Sequence, residues 1–304
     1  MRVLASPASL KGVLPAREAA AALVEGFSDA GVAADALPVA DGGEGTGDVL
    51  GAKTVSTVVV HDAFGRSRRA PIGMLGSDVA IVEAAAAIPL DPKRLDPWTA
   101  SSRGLGELVR EATGARELVV CLGGTATLDG GSGLRKALAE LPVPTTVLCD
   151  TLIPLHAAPR LYGPQKGATS DGDIRALEER LAGMAELAPY ADLPGAGAAG
   201  GLGAAFASLG ARLVPGARWV LERLEFRRRA REAAFVVTGE GTVDATSATG
   251  KAVGDVVRVC SDLGKRCVVF GGRVTAPLEG AELRELSGDP ARARQDLVAL
   301  ARRL

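Results

Sequence analysis

Residues 118–125 read LVVCLGGT, an uninterrupted apolar run that ends in two glycines. Three more apolar runs share this character, and most lead through a polar or glycine-rich turn into a helical stretch: Thr146–Cys149, Phe235–Thr238 and Cys267–Phe270. Continuous apolar strands that alternate with helices are typical of a parallel sheet with both faces covered. The pattern therefore predicts an α/β fold with a doubly wound parallel sheet.

The N-terminal third has a different pattern. Val55–Asp62, Ala70–Leu75 and Asp78–Ala84 are short apolar runs separated by turn signals, a spacing that favours antiparallel hairpins. The chain of 304 residues is about twice the usual length of a domain, so we expect two domains. We place residues 1–92 and 277–304 in a discontinuous, smaller mixed α/β domain, and residues 93–276 in the parallel domain.

Composition excludes several classes of function. The net charge is -1, from 35 basic and 36 acidic residues, which argues against a nucleic-acid or anionic membrane surface as the main partner. No apolar run reaches 18 residues and no secretory signal opens the chain, so we expect a cytoplasmic protein. The four cysteines form no Cys-x-x-Cys pair and are interpreted as core thiols; the two histidines argue against a zinc site or a Ser-His-Asp hydrolase.

Glycine-rich turns that carry carboxylates follow the predicted parallel strands. Gly123–Gly131 contains Asp129, Asp150 follows Cys149, and Gly239–Asp244 contains Glu240 and is followed by Thr249-Gly250-Lys251. Glycines let backbone N–H groups approach a phosphate, carboxylates suit Mg²⁺, and a lysine offsets phosphoryl charge. Together these turns indicate phosphoryl transfer with Mg²⁺.

The N-terminal part adds two similar turns. Ser6–Gly12 follows the first predicted strand, and Val39–Thr46 packs two acids and three glycines into one short segment. The chain has 28 Arg and seven Lys, yet Lys11, Lys166 and Lys251 all lie beside glycine motifs. A compact ammonium group at a phosphate site is not replaceable by a guanidinium.

A purely structural interpretation stays open for each motif. The glycines could simply make tight turns, the acids could cap helices, and each lysine could be an ordinary surface residue. Gly195–Gly200 matches Gly-x-Gly-x-x-Gly, but no strand precedes it, so we expect it to open a helix at Leu202. The Walker A sequence is absent.

Six stretches, in this order, resemble the bacterial glycerate kinases that lack a P-loop: 7–12, 39–46, 123–133, 163–168, 195–203 and 238–251. The sequence is identified as a divergent member of that family. The resemblance implies phosphorylation of D-glycerate by ATP and Mg²⁺, giving 2- or 3-phosphoglycerate. It also implies a flavodoxin-like parallel-sheet domain inserted into the smaller mixed domain. The chain departs from the family pattern at five positions: Ala8, Leu128, Ile153, Thr242 and Thr246.

The motifs and the resemblance together give a set of candidate site residues. Asp41, Asp129 and Lys11 are assigned to catalysis, with Asp41 or Asp129 as acceptor of the substrate proton. Asp150, Glu240 and Asp244 are assigned to the metal. The expected contacts to substrate or phosphate are Ser9, Gly42, Gly43, Glu44, Gly123, Gly124, Thr125, Lys166, Gly239 and Lys251.

The five departures keep two alternatives open. One is a catalytically impaired paralogue that binds a nucleotide or a small anion. The other is a kinase for a different small hydroxy acid. In each case we expect small-molecule ligands, no nucleic acid, no membrane, and a monomer or a homodimer.

Overall fold

The structure is a computed structural model that describes residues 2–248 and 250–304. Met1 and Thr249 lie outside the described residues, and Thr249 belongs to the predicted motif in the stretch 238–251. The chain divides into two compact units. Unit 1 comprises the N-terminal segment up to Asp41, with Asp48–Leu50 and Ala217–Leu304, and unit 2 comprises Gly42–Gly47 and Gly51–Gly216. Unit 2 is thus inserted into unit 1 along the sequence.

The strands are β1 (Val3–Ala5), β2 (Ala34–Ala36), β3 (Lys53–His61), β4 (Ser67–Leu75), β5 (Val79–Glu83), β6 (Glu117–Cys121), β7 (Thr145–Cys149), β8 (Arg212–Pro215), β9 (Val236–Val243), β10 (Cys267–Val274) and β11 (Glu282–Glu285). The helices are α1 (Ala16–Asp29), α2 (Thr46–Val49), α3 (Ala84–Ala87), α4 (Arg103–Glu111), α5 (Ser132–Ala137), α6 (Ala158–Lys166), α7 (Asp171–Ala182), α8 (Ala198–Ser208), α9 (Gly216–Arg223), α10 (Phe226–Glu232), α11 (Ala252–Asp262) and α12 (Ala293–Arg302).

Unit 1 is built on a parallel sheet of five strands in the order β11-β10-β9-β1-β2. Numbered along unit 1 alone, this order is 2-1-3-4-5, which is the flavodoxin-like order. The strand sequence reverses direction between β1 and β9. In open α/β sheets, ligands bind outside the carboxyl ends of the strands at such a reversal.

Alternate side chains of the unit 1 strands enter two separate apolar cores, because successive residues of a strand face opposite sides of the sheet. Val3 and Ala5 pack in the core that contains α1 and α12, whereas Leu4 packs in the core that contains α10 and α11. Helices α1 and α12 touch closely at Gly26, where a Cβ would lie 2.3 Å from the carbonyl oxygen of Val298. Both faces of the sheet are therefore covered by helices.

Unit 2 contains a mixed sheet in the order β3-β4-β5-β6-β7-β8. The pairs β3–β4 and β4–β5 are antiparallel, which confirms the predicted hairpins, and β5 to β8 are parallel. Leu118, Val120 and Leu122 pack with helices α4, α5 and α8 in one apolar core. The predicted helix opening at Leu202 is also found, because Ala199–Gly201 have positive φ and precede the regular part of α8.

The predicted fold class, α/β with two parts and a parallel sheet, is confirmed, but the sheets are distributed differently. The parallel, flavodoxin-order sheet lies in the discontinuous unit, and the mixed sheet lies in the inserted one. The predicted boundaries at 92/93 and 276/277 also differ from those of the compact units. The reason is that strand partners cannot be read from sequence order: Leu4 pairs with Val236, and β6 pairs with β5 and β7 with β6, rather than with β9.

All four cysteines are buried, as expected for core thiols. Burial raises the pKa of the Cys149 thiol to about 12, with a further contribution from the charge of Asp150, so the thiol stays protonated at neutral pH. Within the described residues, none of the helices combines the length and apolarity needed to cross a bilayer.

Candidate functional site

Four charged side chains and one hydroxyl group of unit 1 lie near the end of β9. We call them the acid–lysine cluster: Asp41, Glu240, Asp244, Ser247 and Lys251. The Ser247 hydroxyl donates to Oε1 of Glu240 over 2.6 Å. The Lys251 ammonium nitrogen lies 3.7 Å from Oε2 of Glu240 and 3.9 Å from Oδ1 of Asp244. One ammonium group is thus shared by two carboxylates.

A tight turn after β9 positions this cluster. Asp244 accepts hydrogen bonds from the backbone N–H and the hydroxyl of Thr246, at 2.8 and 2.6 Å, and its own N–H donates to the Ser247 hydroxyl. Lys251 is the residue that precedes α11. The side chain of Thr246 therefore supports Asp244 directly, although this position departs from the pattern of the family that the sequence resembles.

The pKa values of the two carboxyl groups beside Lys251 are shifted in opposite directions. Burial raises the pKa of Glu240, and the charges of Asp41 and Asp244 add to this, while the Ser247 hydrogen bond and Lys251 oppose it. The pKa of Asp244 is lowered, chiefly by the hydrogen bond from the Thr246 hydroxyl. Glu240 consequently carries its charge at an electrostatic cost that a bound cation would relieve.

The turn after β1 lies against β9 at the same edge of the sheet. The Ala8 N–H donates to the Gly239 carbonyl over 2.9 Å, and a Cβ on Gly241 would lie 3.7 Å from the Lys11 backbone nitrogen. Ser9 is half-buried and the Lys11 side chain is exposed. The strand reversal between β1 and β9 thus brings the backbone of the Ser6–Gly12 turn next to the strand that carries Glu240.

Gly239 has a packing role that differs from the predicted phosphate contact. A Cβ at this position would lie 2.3 Å from the carbonyl oxygen of Phe270 and 2.5 Å from its ring. No side chain fits between β9 and β10 at this point, so the glycine is required by the sheet itself.

In unit 2, the loop Gly42–Gly47 is held by a residue that the sequence analysis missed. The Glu83 carboxylate accepts the backbone N–H groups of Gly45 and Gly47, at 3.0 and 2.8 Å. A Cβ on Gly123 would lie 2.7 Å from the Cα of Gly43, so Gly123 and the loop pack backbone against backbone. The signal in the sequence was an acid at the carboxyl end of β5. Glu44, a predicted contact, is exposed.

Asp150 and Lys166 both lie close to Tyr162. The Lys166 nitrogen donates to the Thr127 carbonyl over 2.8 Å and lies 4.9 Å from the centre of the Tyr162 ring. Burial raises the pKa of Tyr162, and the charge of Asp150 raises it further. Asp150 is also near Gly123, since a Cβ there would lie 3.2 Å from Oδ2 of Asp150. Lys166 itself is only 3% exposed.

The glycine turn after β6 contains two buried hydroxyl groups. The side-chain oxygens of Thr125 and Thr127 are inaccessible to solvent, and no residue that the structure describes forms a hydrogen bond with them. Gly124, between Gly123 and Thr125, has a φ of +81°, a conformation that strains any other residue. Buried hydroxyls are normally paired, so the unpaired oxygen of Thr125 is consistent with its predicted contact to a ligand.

Asp129 is the clearest difference between prediction and structure. Its carboxylate is 2% exposed and accepts hydrogen bonds from the N–H and hydroxyl of Ser102 and from the N–H groups of Gly131 and Gly133, at 2.8–3.1 Å. These donors lie at the beginnings of α4 and α5, where helical N–H groups need acceptors. The geometry is that of a residue holding two helix ends, not of an accessible base.

The predicted metal ligands are divided between the two units. Asp150 belongs to unit 2, whereas Glu240 and Asp244 share Lys251 in unit 1. Within residues 2–248 and 250–304, no set of three or more His, Cys, Asp or Glu side chains is arranged to hold a metal ion. Mg²⁺ commonly uses one or two carboxylates together with water and substrate phosphates, so the pair Glu240 and Asp244 fits this ion by its chemistry.

Comparison with known proteins agrees with this description. A model of the "Glycerate kinase family" matches residues 3–143 and 139–288. The chain is 33% identical to glycerate 2-kinase of Escherichia coli (strain K12) over 90% of this chain and 86% of that protein. It is 35% identical to glycerate kinase of Bacillus subtilis (strain 168) over 83% and 79%.

A crystal structure from Salmonella typhimurium LT2, assigned as a glycerate kinase 2, covers 100% of this chain and 96% of that one, with a TM-score of 0.79 and 29% identity. Fold and cluster define an α/β protein with charged side chains at the carboxyl edge of a flavodoxin-order sheet. Within that class, the chain belongs to the glycerate kinase family, as its motifs predicted.

Proposed function

We propose that this chain is a glycerate kinase that transfers the γ-phosphate of ATP to a hydroxyl of D-glycerate. Membership of the family supports the reaction class. The acid–lysine cluster carries the proposal, because two carboxylates and a shared ammonium at the carboxyl edge of a parallel sheet are suited to a metal–phosphate group.

Glu240 and Asp244 are the residues that would hold Mg²⁺, which when bound would neutralise phosphate charge and orient it for transfer. The Lys251 ammonium lies within 4 Å of both carboxylates, so the space between these carboxylates favours a cation. Lys251 would then turn toward phosphate oxygens, and Lys11 would supply a second positive charge from the turn after β1. Both lysines stabilise the negative charge that is spread over the transferring group.

Asp41 is our candidate for the acceptor of the substrate hydroxyl proton. It is half-buried and near enough to Glu240 for its charge to affect that residue's pKa. Asp129 is less suitable for this role, since its oxygens are engaged by backbone and hydroxyl donors. In unit 2 we assign Thr125, Asp150 and Lys166, with the backbone of Gly42, Gly43, Gly123 and Gly124, to polar contacts with substrate or phosphate.

The test is an assay of the purified chain with MgATP and D-glycerate, following release of ADP. Phosphorus NMR of the product distinguishes 2- from 3-phosphoglycerate. Lys251→Ala should abolish most turnover, while Lys136→Ala, an exposed lysine on α5, should have no effect. Nucleotide binding by calorimetry without turnover would support the impaired paralogue instead, and ADP release with another hydroxy acid alone would support a different acceptor.

A further inference from the structure

The strands at the ends of the two sheets differ greatly in length and charge. β2 has three residues, β8 has four and includes Pro215, and β11 has four of which three are charged. β3 has nine residues, KTVSTVVVH, with four valines and Lys53 at its beginning. Proteins protect exposed sheet edges by short strands, prolines and charges. By that measure β2, β8 and β11 are protected, whereas β3 is protected only at its beginning, by Lys53 and the shift of register between Thr54 and Ser56.

The unprotected side of β3 carries hydrogen-bonding groups directed away from β4. Asp62 N–H bonds to the carbonyl of Arg66, and the antiparallel ladder alternates from there, so Thr57, Val59 and His61 direct their backbone groups outward. Pro71, which has no N–H, stands opposite Thr57, in agreement with this alternation. In the described residues, β4 is the strand that pairs with β3, and none pairs on its other side.

Helix α4 closes one end of this edge and leaves the rest accessible. Glu107 accepts the His61 N–H over 2.9 Å and also bonds the imidazole and Arg103. Beyond it, a shallow pocket runs along the strand and is lined by Val58, Val59, His61, Glu107, Arg110 and Glu111. The pocket has the layout that accepts an added strand, namely a sheet edge beside a helix.

The side chains on β3 are also exposed to an unusual degree. Val59 is 68% and Val55 57% exposed, the highest values among large apolar side chains in the described part of the chain. They lie two residues on either side of Thr57. The shift of register between Thr54 and Ser56 leaves Ser56–Val60 as the regular part of the strand.

We propose that β3 is a dimer interface, on which β3 of a second copy of this chain adds antiparallel around Thr57. A two-fold axis at Thr57 pairs Val55 of each copy with Val59 of the other, so the most exposed apolar side chains cover one another. The same pairing carries Lys53 of each copy toward α4 of the other, where two carboxylates, Glu107 and Glu111, line the pocket together with Arg110, which lies 3.4 Å from Glu111. The edge is therefore complementary to itself in outward backbone groups at Thr57 and Val59 and in apolar surface, and it places Lys53 beside a pocket with two carboxylates and one guanidinium.

Sedimentation of the full chain with a charged edge variant tests the proposal. Wild type should sediment at twice the mass of one chain at micromolar concentration. Val59→Lys should weaken the dimer at least tenfold, because each copy then places an ammonium on the apolar contact. The matched control is Val32→Lys, since Val32 is 39% exposed and lies outside β3. A wild type that is monomeric, or equal dimerisation of both variants, overturns the proposal.

A cross-linking variant tests the register. Thr57→Cys should form a covalent dimer on mild oxidation, since residue 57 faces itself across the two-fold axis. The native cysteines are buried and should not interfere, and Val32→Cys is the control. A dimer that resists cross-linking at position 57 and tolerates Val59→Lys would place the interface elsewhere and contradict the inference.

Discussion

Asp129 and Glu240 occupy similar contexts in sequence but different environments in structure. Each is a carboxylate next to glycine that follows an apolar run in the sequence. Asp129 lies in the loop after β6 of unit 2, and Glu240 lies within β9 of unit 1. Asp129 accepts hydrogen bonds from backbone and hydroxyl donors at the beginnings of two helices. Glu240 receives one short hydroxyl bond and shares an ammonium group at 3.7 Å. A carboxylate whose oxygens accept hydrogen bonds from the backbone has a structural role. A carboxylate that is paired with a lysine ammonium at 3.7 Å can instead bind a different cation.

The largest effect is expected for Glu240→Gln. The amide keeps the shape and removes the charge that would hold Mg²⁺, so kcat should fall about 1,000-fold, or about 4 kcal/mol in the barrier. The circular dichroism spectrum should stay that of the wild type. A variant with wild-type kcat would remove Glu240 from the site.

The same substitution should also change how the unfolding free energy depends on pH. Because burial raises the Glu240 pKa above its usual value of 4.5, ionisation of this group opposes folding. Unfolding free energies of the wild type and Glu240→Gln should agree at low pH, where the carboxyl is neutral in both states. As pH rises above 4.5, the unfolding free energy of the wild type should fall below that of Glu240→Gln. Urea titrations at pH 4 and pH 8 measure this difference.

For Asp129→Asn we expect loss of stability rather than of chemistry. An amide oxygen in place of Oδ2 can keep three of the bonds, but the amide nitrogen then faces the Gly131 N–H. One bond is lost and the others lose their charge assistance, for about 3 kcal/mol. Under conditions where the variant is folded, kcat should remain within about threefold of the wild type. If stability is unchanged and turnover falls a hundredfold, Asp129 is the base that the sequence alone suggested.

A smaller loss is expected for Lys11→Ala. Removing an exposed ammonium beside the phosphates should lower kcat about a hundredfold, equivalent to about 2.7 kcal/mol, with unchanged stability because the side chain makes no buried contact. Lys136→Ala serves as the control in the same assay. Equal turnover of the two variants would leave Lys11 without a catalytic role.

The sequence predicted the local elements well because their signals are local. Apolar periodicity located the hairpins of unit 2, and glycine turns located the carboxyl edges of both sheets. It could not predict which sheet each strand joins, because Leu4 meets Val236 only after an entire inserted unit has been crossed. The role of Asp129 was missed for the same reason: its donor Ser102 lies 27 residues earlier in the chain.

The smallest effect concerns Glu83, which joins the glycine loop to β5. Glutamine can accept one of the two N–H groups of Gly45 and Gly47 but presents a donor to the other, so Glu83→Gln should cost about 1–2 kcal/mol. Hydrogen exchange at both amides should accelerate, because the loop is held by these bonds. Glu117→Gln, an exposed acid at the beginning of β6, is the matched control. Unchanged exchange at Gly45 and Gly47 would mean that backbone packing of the glycines alone fixes the loop. Glu83 would then not belong, with Asp129, to the carboxylates that hold the fold.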